Sequence, residues 1–405
     1  MLCIEWNIYS SFFYCAMQIA NCKKWVHPRP SFETPSLSTG MARSEPSRQT
    51  RPKRLESGMQ LRKISLCLAT LLAGMTLTPT LLAADGPHAN ERYVMVSHGA
   101  DSDSWWNTIK NSVKQAGEDF GVQVDYRNPP NGDLADMARL LEQAAARNYD
   151  GVAYDIADYD VLSKPAAKIT AKGIPTVTFN SGTIEESKKL GAIMHIGQPE
   201  YAAGKAAGDR AKALGIKSFV CVNHYATNQA SFQRCKGFAD AIGADFKSSM
   251  IDSGMDPTVV NSKVTAYLRN HPKTQAILAL GPNAAEPTVQ ALKQMHLNGK
   301  IYFGTFDLSP GIINAIKDGT INFAIDQQPY LQGYMSIAAV VIAHEDKTTD
   351  KDKIIATLKA NPKFQMRLKE YGLVPVYNAD GVSSGPAFVT KDNVATVEKY
   401  AGQYR

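Results

Sequence analysis

From Tyr93 onward, short apolar runs alternate with amphipathic helical stretches, and this alternation leaves few folds open to the chain. Tyr93-Val94-Met95-Val96 reads as a first strand, and a helix is expected from about Ser104 to Phe120, with Ile109, Val113 and Ala116 on its inner face. Gly121 supplies a stop before a second strand, Val122 to Tyr126. From Asp133 to Arg147 the residues Leu134, Met137, Ala138, Leu141 and Ala145 recur at helical spacing. Strands at Gly151-Val152-Ala153-Tyr154 and Pro175 to Phe179 flank a helix near Asp160 to Ala171. The order βαβαβαβ implies parallel strands, because each return crosses over through a helix.

The alternation restarts after Ile193-Met194-His195-Ile196. Helices are predicted from Tyr201 to Leu214, Gln229 to Ile242, Pro257 to Asn270, Ala284 to Met295 and Pro310 to Lys317. Strands fall at Ser218 to Val222, Gln275 to Leu280, Ile301 to Thr305 and Phe323 to Ile325, before a long helix from about Tyr330 to His344. The Lys-rich stretch from Glu345 to Tyr377 is also helical in pattern. Two halves with one order of elements point to an α/β protein of two doubly wound, Rossmann-like lobes with parallel sheets.

What precedes the alternation is of another kind. Met59 opens a segment with a short basic start (Arg62, Lys63), an apolar stretch to Leu82 and the small residues Ala83 and Ala84, as in a secretory signal over 59–84. Residues 1–58 are Ser-, Pro- and Arg-rich from Pro28 to Arg54 and lack a sustained period, so they read as an untranslated or disordered extension. The formal charge of +6 belongs to these segments: residues 85–405 hold 34 Lys+Arg and 34 Asp+Glu, which gives no electrostatic footprint for nucleic acid. Of six Cys, only Cys221 and Cys235 follow residue 84. In an oxidising compartment these two form a candidate disulfide, with two buried thiols as the alternative. Their spacing is not that of a zinc set, and no metal or cofactor is expected.

In doubly wound sheets, ligands gather beyond the carboxyl ends of the strands. Here those ends lead to His98 through Trp106, Asp155, Asn180-Ser181, Asn223-His224, Gly281-Pro282-Asn283, Phe306-Asp307 and Asp326-Gln327-Gln328. Carboxylates, amides and aromatic faces in one cleft suit a polyhydroxylated ligand, whose hydroxyls hydrogen-bond and whose C–H faces stack on rings. Each residue also has a plainer reading. Asp103, Ser104, Asp155 or Asp307 could cap helices, Asn180 could serve a turn, and adjacent Trp105 and Trp106 point about 100° apart on a helix. Arg234 alone would be a surface residue, and His98 and His224 read as structural groups.

Asp103-Ser104-Trp105-Trp106, Asp158-Tyr159-Asp160, Arg234-Cys235-Lys236-Gly237-Phe238, Gly304-Thr305-Phe306-Asp307 and Asp326-Gln327-Gln328-Pro329 make the chain recognisable. It resembles the periplasmic sugar-binding proteins of ABC transporters, in the ribose, galactose and inositol group with the type I binding-protein fold. The resemblance implies that Asp103, Trp105, Trp106, Asp155 and Asn180 line the cleft from one lobe, and Arg234, Met255, Phe306, Asp307 and Gln327 from the other. It implies a three-segment hinge near Ile196, near Gln327 to Pro329, and between Tyr371 and Pro386. The lobes would then be 90–195 plus 328–375 and 196–327 plus 376–405. The partners implied are a small sugar or polyol and ABC permease and ATPase subunits, met by a monomer in the periplasm. Asp155 stands where the ribose pattern has Asn, Asn180-Ser181 where it has Asp-Arg, and the two Trp where it has two Phe. Those departures argue against ribose itself.

Competing functions lack their parts. The chain has no G-x-S-x-G, no phosphate-loop motif, no H-E-x-x-H and no G-x-G-x-x-G after the first strand, so an enzyme is not expected. A sugar-responsive repressor would need a helix-turn-helix module where the apolar signal stands. An exported sensor feeding a chemoreceptor or sensor kinase would use the same binding chemistry and remains the alternative.

Overall fold

The structure, a computed structural model, describes residues 88–405. The expected signal at 59–84 and the extension at 1–58 lie outside the described residues. The first lobe opens with β1 (Arg92–Val96), α1 (Trp106–Phe120), β2 (Gln123–Arg127), α2 (Leu134–Ala146) and β3 (Gly151–Asp155). It continues through α3 (Tyr159–Thr170), β4 (Thr176–Phe179), α4 (Ile184–Lys189) and β5 (His195–Gly197). The second lobe runs through α5 (Glu200–Ala213), β6 (Phe219–Asn223), α6 (Gln229–Ile242), α7 (Phe246–Ser249), β7 (Met250–Asp252), α8 (Pro257–Asn270) and β8 (Ala276–Ala279). It ends its first pass with α9 (Pro282–Gln294), β9 (Tyr302–Phe306), α10 (Pro310–Lys317) and β10 (Phe323–Asp326). The chain then returns through α11 (Pro329–Glu345), α12 (Lys351–Ala360), α13 (Pro362–Tyr371), β11 (Val376–Asn378), β12 (Gly381–Ser383) and β13 (Ala387–Val389).

The first sheet has the order β11-β12-β5-β4-β3-β1-β2 and the second β13-β10-β9-β8-β6-β7. Setting aside the late strands, both follow the same doubly wound order, so the duplication suggested by the alternation is present in the topology. The sheets are mixed rather than purely parallel: β11 pairs antiparallel with β12, and β13 antiparallel with β10. Local chemistry fixes the helix starts. Asp133 and Asp158 accept from backbone amides ahead of α2 and α3, while Asp256 and Ser309 do so ahead of Pro257 and Pro310.

The lobes are joined at three places. The first crossing passes Gln198-Pro199 after β5, and the second lies at Gln327-Gln328. The third passes Ser384-Gly385-Pro386. The boundary expected at 375/376 therefore moves to 384, because β11 and β12 pair into the first sheet through β5. A three-residue hairpin carries too little pattern to declare its sheet in advance. Helix α11 is buried over nearly its whole length, covered by α1, the first sheet and α12. It thus fixes the returning chain rigidly beside the second crossing.

Candidate ligand-binding cleft

Equivalent points of the two sheets face each other across the cleft. Val96 on β1 pairs with Tyr154 on β3, and Val222 on β6 pairs with Ala279 on β8. His98 and His224 follow those two valines by two residues, so they occupy matching positions at the strand-order reversals where doubly wound sheets bind ligands. Both line the cavity between the lobes. They were expected to be structural or supporting groups at the strand ends, and the structure places both in the cavity wall.

Seven expected residues line the same cavity: Asp103, Trp105, Trp106, Asn180, Arg234, Asp307 and Gln327. The two Trp rings stand edge to face, 4.8 Å between centroids and 84° apart, and together form a corner of the first-lobe wall. Asp103 does not cap α1; its Oδ1 accepts from the Trp105 amide at 3.1 Å and its Oδ2 from the Tyr225 hydroxyl at 3.1 Å. Asp158 and Ser309 cap α3 and α10, so Asp155 and Asp307 do not.

Arg234 is held from three sides. Glu200 takes it at two points, Nε to Oε2 at 2.6 Å and Nη2 to Oε1 at 2.7 Å. Its Nη2 also donates to Gln327 Oε1 at 2.9 Å, and its guanidinium lies over the Phe306 ring at 4.5 Å. Burial works to lower its pKa and the Glu200 carboxylate overrides that, leaving it raised. The pair exists because α5 and α6 touch closely: a Cβ at Gly204 would lie 2.1 Å from the Arg234 carbonyl oxygen. Cys221 on β6 and Cys235, next to Arg234, lie at disulfide-bonding distance with Cα atoms 5.9 Å apart, and both are buried.

Asp307 accepts from Gln327 Nε2 at 2.6 Å, and burial pushes its carboxyl up to about 8. Burial likewise lowers His224 to about 4, so it is neutral at pH 7. Asn180, Asp307 and Gln328 have φ of 56°, 68° and 49°, three of the five non-glycine residues with positive φ among the described residues. All three follow strand ends at the cavity or the hinge, where strain persists only if the surroundings hold it.

Three expected residues do not line the cavity. Phe306 is the last residue of β9 and its ring lies under the Arg234 guanidinium, whereas Asp307, just past the strand with φ 68°, lines the cavity. Asp155, fully buried, lies behind His98; it accepts from the His98 amide at 3.1 Å, and its Oδ2 stands 3.0 Å from His98 Nδ1. Met255 is half-buried in the β7–α8 loop.

Sequence reasoning missed Tyr225 and Asn228, which close the cavity together with Ser181, a residue named only as a strand end. Tyr225 reaches from the second lobe to Asp103 and also accepts from the Ala100 amide at 3.3 Å. Asn228 Nδ2 donates to His98 Nε2 at 3.0 Å and to Ser181 Oγ at 3.1 Å, while its Oδ1 caps α6. These bonds hold the lobes closed. Treating the whole β6–α6 loop as a strand end, rather than Asn223-His224 alone, would have found both loop residues.

Comparison with known proteins agrees with this geometry. The periplasmic binding protein domain model matches residues 93–347. The xylose/arabinose-binding protein XylF of Sulfolobus acidocaldarius is 25% identical over 268 residues, 63% of this chain and 66% of that protein's length. The ribose import binding protein RbsB of Haemophilus influenzae is 24% identical over 317 residues, 76% of this chain and 99% of that protein. A carbohydrate transporter from Acidothermus cellulolyticus, crystallised with myo-inositol, superposes with a TM-score of 0.67 at 29% identity, over 78% of this chain and all of that one.

Proposed function

Because this chain belongs to the periplasmic binding protein domain family, we propose that it captures a small sugar or cyclic polyol between its lobes and delivers it to an ABC importer. One observation carries the reading: side chains from the strand ends of both lobes converge on one cavity at the hinge. Asp103 and Asp307 supply acceptors for ligand hydroxyls, Arg234 and Asn180 supply donors, and the indole faces of Trp105 and Trp106 supply stacking. Residues that contact both the ligand and the opposite lobe couple capture to closure.

Six-membered polyols are favoured over ribose. The broad indole faces suit a larger ring, and the similar Acidothermus structure holds myo-inositol. The chain acts outside the cytoplasm as a monomer after removal of the 59–84 signal, with Cys221 and Cys235 oxidised, and permease and ATPase subunits receive its closed form.

A thermal-shift screen of the exported chain against pentoses, hexoses and cyclitols tests this. Ligand at about 1,000 times its Kd stabilises by roughly 4 kcal/mol, an obvious shift. A response to neutral polyols that disappears in Asp307→Ala supports the reading; silence across all carbohydrates overturns it.

A further inference from the structure

The charges on the cavity walls bear on which polyols can enter. Two carboxylates, Asp103 and Asp307, line the cavity with a single guanidinium, Arg234, and no lysine. That guanidinium is already taken at two points by a third carboxylate, Glu200. Asp307 is bonded by a neutral amide, Gln327 Nε2. Asp103 is bonded by neutral groups alone, the Trp105 amide and the Tyr225 hydroxyl. The imidazole nearest Asp103, His224, stands 3.9 Å away and is kept neutral by burial, and His98 is turned toward Asp155 and Asn228. Asp103 is therefore a carboxylate 4% exposed with no cation of its own.

A carboxylate or phosphate on the ligand would meet the buried Asp103 carboxylate and no free cation, whereas an ammonium would supply the charge Asp103 lacks. Hydroxyls are still needed. The indole Nε1 of Trp105 and the Nδ1 of His224 are buried without hydrogen-bond partners, and an oxygen-rich ligand can accept from them.

We propose that the cleft selects by charge: it takes amino-substituted sugars or cyclitols at least as tightly as their neutral parents, with the amino group on Asp103, and rejects carboxylate- or phosphate-bearing counterparts. The inference rests on the sugar-binding reading above, and the two fail separately.

The test is calorimetric titration of the exported chain at pH 7 with matched trios. Glucose, glucosamine and glucuronate form one, and galactose, galactosamine and galacturonate another. A third is inositol, an amino-deoxyinositol and inositol phosphate. The expected result is binding of at least one neutral member, equal or tighter binding of its amino counterpart, and at least 100-fold weaker binding of the anion. Raising the pH above the ammonium's own pKa should remove any advantage of the amino compound in the unaltered protein. In Asp103→Asn the ratio of amino to neutral affinity should fall at least tenfold. If no neutral member or amino counterpart binds, the sugar reading itself fails. If neutral members bind but anions bind equally, or amino counterparts are rejected, selection by charge is overturned. An unchanged ratio in Asp103→Asn overturns the assignment of the amino group to that residue.

Discussion

Asn180 and Gln332, 152 residues apart in sequence, are joined by one buried hydrogen bond, Asn180 Nδ2 donating to Gln332 Oε1 at 2.9 Å. Asn180 faces the cavity, whereas Gln332 lies at the start of α11, just past the second crossing. Gln332 Nε2 donates in turn to the Gln327 carbonyl at 3.4 Å and to Ser384 Oγ at 3.0 Å. Its neighbour Gln328 accepts from the Val374 amide and donates to the Ser384 carbonyl. A cavity residue is thereby tied to two of the three hinge crossings.

Gln332→Ala should loosen that tie without touching the ligand. It leaves the Asn180 amide buried and short of a partner, at a cost of about 1–3 kcal/mol. The expected outcome is a five- to hundredfold loss of sugar affinity, carried by faster release. Stopped-flow dissociation together with calorimetry would check it; unchanged release would show that Asn180 needs no support.

Glu200→Gln should be severely destabilising although Glu200 does not line the cavity. Both side chains are buried, and removing one partner of such a pair costs about 3–5 kcal/mol. The double variant Glu200→Leu with Arg234→Met should recover most of the stability and none of the binding. Denaturant unfolding of both variants, each with and without sugar, separates the two effects.

Replacing Cys221 and Cys235 by Ala should lower stability by about 2–4 kcal/mol, as expected for a link closing a loop of this length. Sugar affinity should fall as well, because Arg234 adjoins Cys235 on the helix that a disulfide would tie to β6. Equal unfolding midpoints in reduced and oxidised protein would show that the thiols stay free.

Much of this was legible in the sequence because strand–helix alternation and the strand-end rule are local signals. Trp105, Asn180, Asp307 and Gln327 all lie where those signals place them, whereas Arg234, inside α6, was brought to the cleft by the family resemblance alone. Failures came where position depends on packing. Phe306 and Asp307 are adjacent, yet with Asp307 in the left-handed region just past the strand one lies under Arg234 and the other lines the cavity. Tyr225 and Asn228 sit in a loop with no period, and their value appears only once the opposite lobe closes on them. Strand β7, three residues at a sheet edge, left no pattern at all.

The pH dependence of the unliganded protein should expose what Asp307 costs the fold. Burial raises its carboxyl from the ordinary 3.8 to about 8, so the folded state favours the protonated form. Its contribution is fully present below about pH 4 and is lost as pH rises toward 8. Buried His195 and His224 act in the opposite direction: burial lowers both to about 4, so their contribution is present above about 6.5 and lost as pH falls toward 4. Asp307→Asn keeps a side chain that tolerates the left-handed backbone at φ 68° while removing the titration. The variant should gain Tm relative to the unaltered protein as pH rises from 4 to 8, and both should still weaken on acidification through the two histidines. Thermal melts across that range check the sign. A variant that gains nothing by pH 8 would mean that Asp307 is already ionised in the closed, empty cleft.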